Sequence, residues 1–288
     1  MELPARQSPD YEYLDAGEGA RLERFGSWIC SRPSPVALWP RERPELWQKP
    51  GGTYHRSSDG GGQWEFGTRP PESWPLRWDD FVFQVRPTGF GHMGLFPEHT
   101  AHWEWVTRQI RAAASPCRVL HLFAYTGAMS LLAARAGAEV CHVDAVADIN
   151  DWARANAAAS GMQTAPIRWI TDDATKFTAR EIRRERRYEG IILDPPSYGK
   201  GPHGEKWILD DHLLPLLELA QQISADPPRF VLFTCHSLGF SPVLMHNLLL
   251  PWKTMFGGDI ESGTMVLDNT HCRCRLPTGF FARWSRQI

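Results

Sequence analysis

The chain has 288 residues, enough for about two domains at the usual ~100–200 residues each. Its 42% apolar and 22% charged residues exclude a largely disordered or collagen-like chain. Acidic residues outnumber basic ones 33 to 31, for a net charge of −2, so any grip on nucleic acid must come from a local patch.

Residues 1–97 hold 12 of the 24 glycines, 12 of the 23 prolines and 6 of the 13 tryptophans. That punctuation excludes long helices and predicts short strands at 20–25, 28–32, 36–39, 63–66 and 81–85. The stretch KPGGTYHRSSDGGGQ (49–63) reads as a flexible hairpin or loop. The Trp-rich strands could stack nucleic-acid bases or fill the core of a small sheet. Beyond residue 97 the rhythm changes. Strands are predicted at 117–124, 139–144, 166–170, 188–194, 229–235, 259–267 and 279–285. Helices are predicted from Thr126 to Ala138 and over 147–161, 174–187, 205–223 and 241–253. This alternation predicts an α/β fold: a mostly parallel sheet covered on both faces, over residues 98–288, behind a small β-rich domain and linker at 1–97. No run approaches the ~20 apolar residues of a membrane span. The start MELPARQSPDYEYLD lacks a secretory pattern. Six cysteines, scattered from 30 to 274, read as reduced thiols of a cytoplasmic protein.

Ligands of such sheets bind at the C-terminal strand ends. The first strand there runs into HLFAYTGAMS, where Thr126 and Gly127 open a helix whose N-terminus favours an anionic group. The second ends in HVDAV, and the Asp144 carboxylate can accept both hydroxyls of a ribose. After the third, TDDATKF offers Asp172 or Asp173 to an adenine amine or as a helix cap. The fourth ends in LDPPSYGKG. Two prolines stiffen the turn and hold Asp194 at the sheet tip, with Ser197 and Tyr198 beyond. A rigid turn with carbonyls and an aromatic ring suits a planar, amine-bearing base. The fifth ends in LFTCHSLGF, where Cys235 is either a nucleophile with His236 lowering its pKa or a buried small residue.

Together HLFAYTG, HVDAV, TDDATKF, DPPSYG and FTCHS resemble the class I S-adenosylmethionine-dependent methyltransferases. The preceding GFGHMGLFPEHTAHWEW narrows the resemblance to the family of ribosomal-RNA large-subunit 5-methylcytosine methyltransferases, without a clear PUA domain. The resemblance implies a Rossmann-like seven-stranded sheet with an antiparallel last strand. It implies that Phe123, Tyr125, Thr126 and Gly127 surround the methionine part of S-adenosyl-L-methionine, Asp144 the ribose and Asp173 the adenine. Pro97, Glu98 and His99 would lie in a closing segment.

An RNA base is the expected acceptor. At cytosine C5, Cys235 would add to C6 before transfer, and this reading is slightly favoured. At an exocyclic amine, Asp194 and the Pro195 carbonyl would hold the nitrogen, with Pro196 and Ser197 shaping the turn and Tyr198 stacking. The alternatives are a nicotinamide-dependent oxidoreductase, for which Asp144 would serve equally well, and a non-catalytic RNA binder using AREIRRERR (179–187). That run also reads as a solvated helix face with Glu–Arg pairs. Methyl transfer needs no metal, and HCRC (271–274) lacks a full set of ligands. The oligomeric state cannot be read from the sequence.

Overall fold

The computed structural model describes residues 1–57, 61–113 and 116–286. The chain opens with β1 (Glu2–Pro4), β2 (Tyr11–Gly17), β3 (Ala20–Phe25) and β4 (Trp28–Pro33). It continues with β5 (Gly52–Arg56), β6 (Gly62–Phe66), β7 (Trp74–Trp78) and β8 (Phe81–Val85). Strands β2 to β6 form one five-stranded sheet, antiparallel except between β4 and β5. Strands β7 and β8 form a separate hairpin. The expected loop at 49–63 is largely the β5–β6 hairpin, whose turn at 58–60 lies outside the described residues.

The tryptophans here pack inward. Trp28 lies 5.5 Å from Trp64 and 5.7 Å from Trp74, ring to ring. The indoles of these three donate to the carbonyls of Thr68, Thr88 and Phe25. Aromatic rings thus fill the core, with the N–H groups of these three satisfied. The strand expected at 36–39 does not form. Its carbonyls at Ala37 and Trp39 instead accept from Gly19 and Glu18, and Pro35 and Pro40 deny it ladder donors on either side. A buried cluster fastens this sheet to the loop before residue 97. Arg32 meets Glu23 and donates to the Gly91 carbonyl at 2.9 Å.

The second half begins with a 3-10 turn (Pro97–His102) and α1 (Trp103–Arg111), neither of which the sequence reading placed. Then come β9 (Arg118–Leu122), α2 (Ala128–Arg135), β10 (Glu139–Asp144), α3 (Ala147–Ala159), β11 (Ile167–Thr171), α4 (Ala174–Arg183) and β12 (Gly190–Leu193). A short hairpin follows, β13 (Tyr198–Lys200) and β14 (Lys206–Ile208). The chain ends with α5 (Leu209–Ile223), β15 (Phe230–Cys235), α6 (Pro242–Phe256), β16 (Asp259–Leu267) and β17 (Leu276–Ser285). The helix expected over 205–223 starts only at Leu209, because β14 claims the residues before it.

The main sheet runs β11-β10-β9-β12-β15-β17-β16-β1. Strand β17 is antiparallel to both neighbours, as expected of the last strand. The sheet has eight strands, not seven. Three N-terminal residues pair in parallel with β16, Glu2 opposite Thr264. A three-residue strand containing Pro4 carries no alternation that a sequence could show. Because β10 and β11 lie on one side of β9, and β12 and β15 on the other, the order switches between β9 and β12. A crevice opens at their C-terminal ends.

Candidate functional site

A cavity of about 580 Å³ occupies that crevice. The tips of β9, β10, β12 and β15 supply Phe123 and Tyr125, Asp144, Asp194 and His236 respectively. The β12–β13 turn adds Pro195, Pro196, Ser197 and Tyr198. A much smaller cavity of about 40 Å³ adjoins it and is lined by Thr126, Gly127 and His99 together with Phe123, Tyr125 and Asp194.

The β9 side is set by backbone geometry. Phe123, Tyr125 and Gly127 all take left-handed conformations, with φ of 55°, 49° and 87°. Two of these are not glycine, and such residues cost on the order of 1–3 kcal/mol each, a strain found chiefly at functional sites. The turn pays that cost by clamping its neighbour: the Tyr125 and Val146 amides donate to the two Asp144 oxygens at 2.9 and 3.0 Å. Burial raises the Asp144 carboxyl while these amides oppose it. The Ala145 amide also acts on it, and part of the capacity of its two oxygens remains for outside donors. The Thr126 hydroxyl is spent on the Gly94 carbonyl at 2.6 Å, which pins the preceding loop to the turn. Asp173 accepts the Lys176 amide at 2.8 Å as the cap of α4 and also lines the cavity.

The β12 side is set by side chains from distant segments. Asp194 accepts the Thr234 hydroxyl at 2.7 Å and lies 3.4 Å from His99 Nε2 and 3.6 Å from His236 Nε2. Burial acts to raise its carboxyl, yet the two imidazoles and the hydroxyl hold it below the usual aspartate value. Burial likewise depresses His99. Phe96 packs against both rings, at 5.8 Å from His99 and 5.7 Å from His236. Beyond the prolines, the β13–β14 hairpin forms a flank of the cavity. Trp207 donates to the Pro196 carbonyl at 2.6 Å and packs 4.8 Å from Phe123. Tyr198 is 54% exposed at the rim.

Cys235 stands apart from this group. Thr234 turns its hydroxyl toward Asp194, so the next residue faces the opposite side of the sheet. Cys235 is fully buried in the core that holds Met245, Leu249 and Trp252. Burial pushes its thiol up to about 12. His236 lies past the strand end on the cavity wall, so the expected Cys235–His236 pair is divided. Pro97 and Glu98 are buried and line neither cavity, whereas His99 reaches the smaller one.

Several cavity residues were not found from sequence: Arg56, His92, Phe96 and Trp207. His92 and Phe96 fall within the GFGHMGLFPEH run, whose aromatics and histidine without helical spacing were the available signal. Arg56 arrives from the N-terminal sheet and carried none. In the AREIRRERR run, Arg184 pairs with Glu181, which also accepts the Tyr188 hydroxyl and binds Arg168. The Cys272 thiol donates to the Leu14 carbonyl and the Cys274 amide to Glu42, both in the N-terminal segment.

A doubly wound sheet with a reversed last strand, and acids and aromatics over its switch point, defines a Rossmann-like α/β methyltransferase. The profile of the S-adenosylmethionine-dependent methyltransferase family matches residues 52–213, more than half of the chain, and the chain belongs to that family. It is 38% identical to the SAM-dependent methyltransferase from Agrobacterium tumefaciens, whose crystal structure superposes with a TM-score of 0.93 over 100% of this chain and 94% of that one. It is 33% identical over 125 residues to ribosomal RNA large subunit methyltransferase K/L of Shewanella frigidimarina, covering 43% of this chain and 17% of that protein. It is 30% identical over 128 residues to ribosomal RNA large subunit methyltransferase K of Neisseria meningitidis, covering 42% and 35%. The chain thus spans well under half the length of these two relatives. Membership makes the protein an S-adenosylmethionine-dependent enzyme and sets the nicotinamide alternative aside. No helix among the described residues is long and apolar enough to cross a membrane.

Proposed function

We propose that the protein methylates a nitrogen on a base of RNA, and that the two sides of the cavity divide the work. The strand-tip residues fit S-adenosylmethionine. Asp144 is a half-buried carboxylate lining the cavity with acceptor capacity to spare, suited to a ribose. Asp173 would meet the adenine amine. Phe123, Tyr125, Thr126 and Gly127 would wall the methionine part, with the Thr126 contribution limited to its backbone because its hydroxyl is already used. The bound cofactor supplies a methyl group on a positively charged sulfur, open to displacement by an electron pair.

The acceptor would enter between Asp194 and Tyr198. Asp194 and the Pro195 carbonyl accept hydrogen bonds from an exocyclic amine, Pro196 and Ser197 fix the turn, and Tyr198 stacks on the base. Arg56 at the cavity edge suits a backbone phosphate. Alignment of this kind contributes up to ~7–11 kcal/mol in favourable cases. The observation that carries nitrogen over cytosine C5 is the Cys235 thiol: C5 chemistry needs a thiolate at C6, and this thiol is buried on the opposite face of the sheet. The names of the K/L and K relatives support RNA as the substrate class. Labelled methyl transfer to total RNA, DNA and protein fractions tests the reading. Label in RNA is expected, and label confined to DNA or protein would refute it.

A further inference from the structure

Ionisable groups from four segments meet at the acceptor end: Glu98 and His99 from the 97–102 turn, His121 from β9, Asp194 after β12 and His236 after β15. His92 and His102 lie close behind, and only Asp194 and Glu98 are acidic. The His236 Nδ1 lies 2.8 Å from the Thr278 carbonyl. A carbonyl only accepts, so that nitrogen carries the ring proton and Nε2 of the neutral ring is a bare lone pair. It faces His99 Nε2 at 3.0 Å. The two ring planes differ by 1° and their centroids are 5.3 Å apart. Imidazoles joined at 3.0 Å reach that separation only when their Nε2 atoms point straight at one another. This is a linear N–H···N bond with His99 as donor. A metal held by both rings would instead require the two lone pairs to converge on a point off that line. Asp194 lies beside the bond, one oxygen toward each ring.

We propose that His236 Nε2 takes the proton that the methyl-accepting nitrogen must lose, with His99 and Asp194 as its positioning residues. This rests on the reading of the acceptor as a nitrogen. As that nitrogen's electron pair forms the N–C bond, the S–C bond breaks and its pair stays on sulfur. The nitrogen is left cationic. Its N–H bond then breaks, the pair returns to nitrogen, and the proton binds the His236 Nε2 lone pair as the His99 N–H leaves it for the nearby Asp194 oxygen. That lone pair can no longer accept from His99. Each ring then has an Nε2–H and a separate Asp194 oxygen within 3.4–3.6 Å. One neutral N–H···N bond is exchanged for hydrogen bonds to a carboxylate, which are roughly twice as strong. The Thr278 carbonyl keeps His236 in the receptive tautomer before each turnover. Glu98, 3.9 Å from His236 Nδ1 and with Oε2 unpartnered, adds negative charge on the far side of the ring.

The test joins long-range 1H–15N NMR of the histidine rings, in the full unliganded chain, to the pH profile of turnover. His236 should appear as the Nδ1–H tautomer and His99 as the Nε2–H tautomer. On acidification their signals should move together, because one added proton breaks the bond they share. His99→Phe, or His99→Gln if the first folds poorly, should leave His236 titrating alone with a displaced midpoint. Turnover should fall on the acid side with the midpoint of the pair. His236→Gln should lower kcat by roughly 10²-fold or more, abolish that acid limb and leave the acceptor KM within a few-fold. Independent titration of the rings, or an acid limb that survives in His236→Gln, overturns the proposal. So does loss of turnover with a chelator and recovery with zinc, which would make the three residues metal ligands. Label recovered on carbon refutes the nitrogen reading and the proton's destination with it, while ring coupling in the NMR reports on the pair alone.

Discussion

The two sides of the cavity are built by different means. On the β9–β10 side, the functional residues stand at or just past the ends of two adjacent strands and are set by the backbone, as Asp144 is by the Tyr125 and Val146 amides. On the β12–β15 side, Asp194, His99 and His236 come from segments up to 137 residues apart and are fixed by one another. The first side is a rigid cradle suited to a constant cofactor. The second is a group of exchangeable protons suited to an acceptor that must lose one.

Mutations should separate the sides. The largest effect is expected from Asp194→Ala, which removes the partner of Thr234 and of both imidazoles. Transfer should drop by roughly 10²-fold or more, the scale of a misaligned reactant, while S-adenosylhomocysteine affinity by calorimetry stays within a few-fold. A collapse of cofactor affinity would merge the two sides. Asp144→Ala should do the reverse and weaken S-adenosylhomocysteine by about 1–3 kcal/mol, the cost of lost charged hydrogen bonds. Gly127→Ala probes the cradle's backbone. At φ of 87°, with the added Cβ only 3.2 Å from the Ala153 Cβ, it should cost about 1–2 kcal/mol in thermal unfolding, the price of a left-handed side-chain-bearing residue. The smallest effect should come from Cys235→Ala. It should lose about 1 kcal/mol of stability, typical of a core substitution, and keep transfer within a few-fold. Inactivity in a well-folded Cys235→Ala protein would return the thiol to the chemistry.

This difference in construction also decided what the sequence could reveal. The strands β10 and β16 and the tip residues Asp144 and Asp194 were legible because apolar runs, helical spacing and a residue just past a strand are all local signals. Phe123 and Tyr125 came from the resemblance, while their left-handed backbone needed coordinates. The β13–β14 hairpin was hidden because KWI runs directly into a strong helix pattern. Cys235 illustrates period-two geometry: the sequence placed it at the right strand end, and one residue of alternation put it on the other face. The link from His99 to His236 could not be seen, because nothing local couples two positions 137 residues apart.

The most direct test of the nitrogen assignment is nucleoside analysis by mass spectrometry of RNA methylated in vitro with isotopically labelled S-adenosylmethionine. The label is predicted on a base nitrogen, and Cys235→Ala protein should give the same nucleoside. Label on C5 of cytosine, lost in the Cys235→Ala protein, would contradict the account and make the buried thiol the nucleophile.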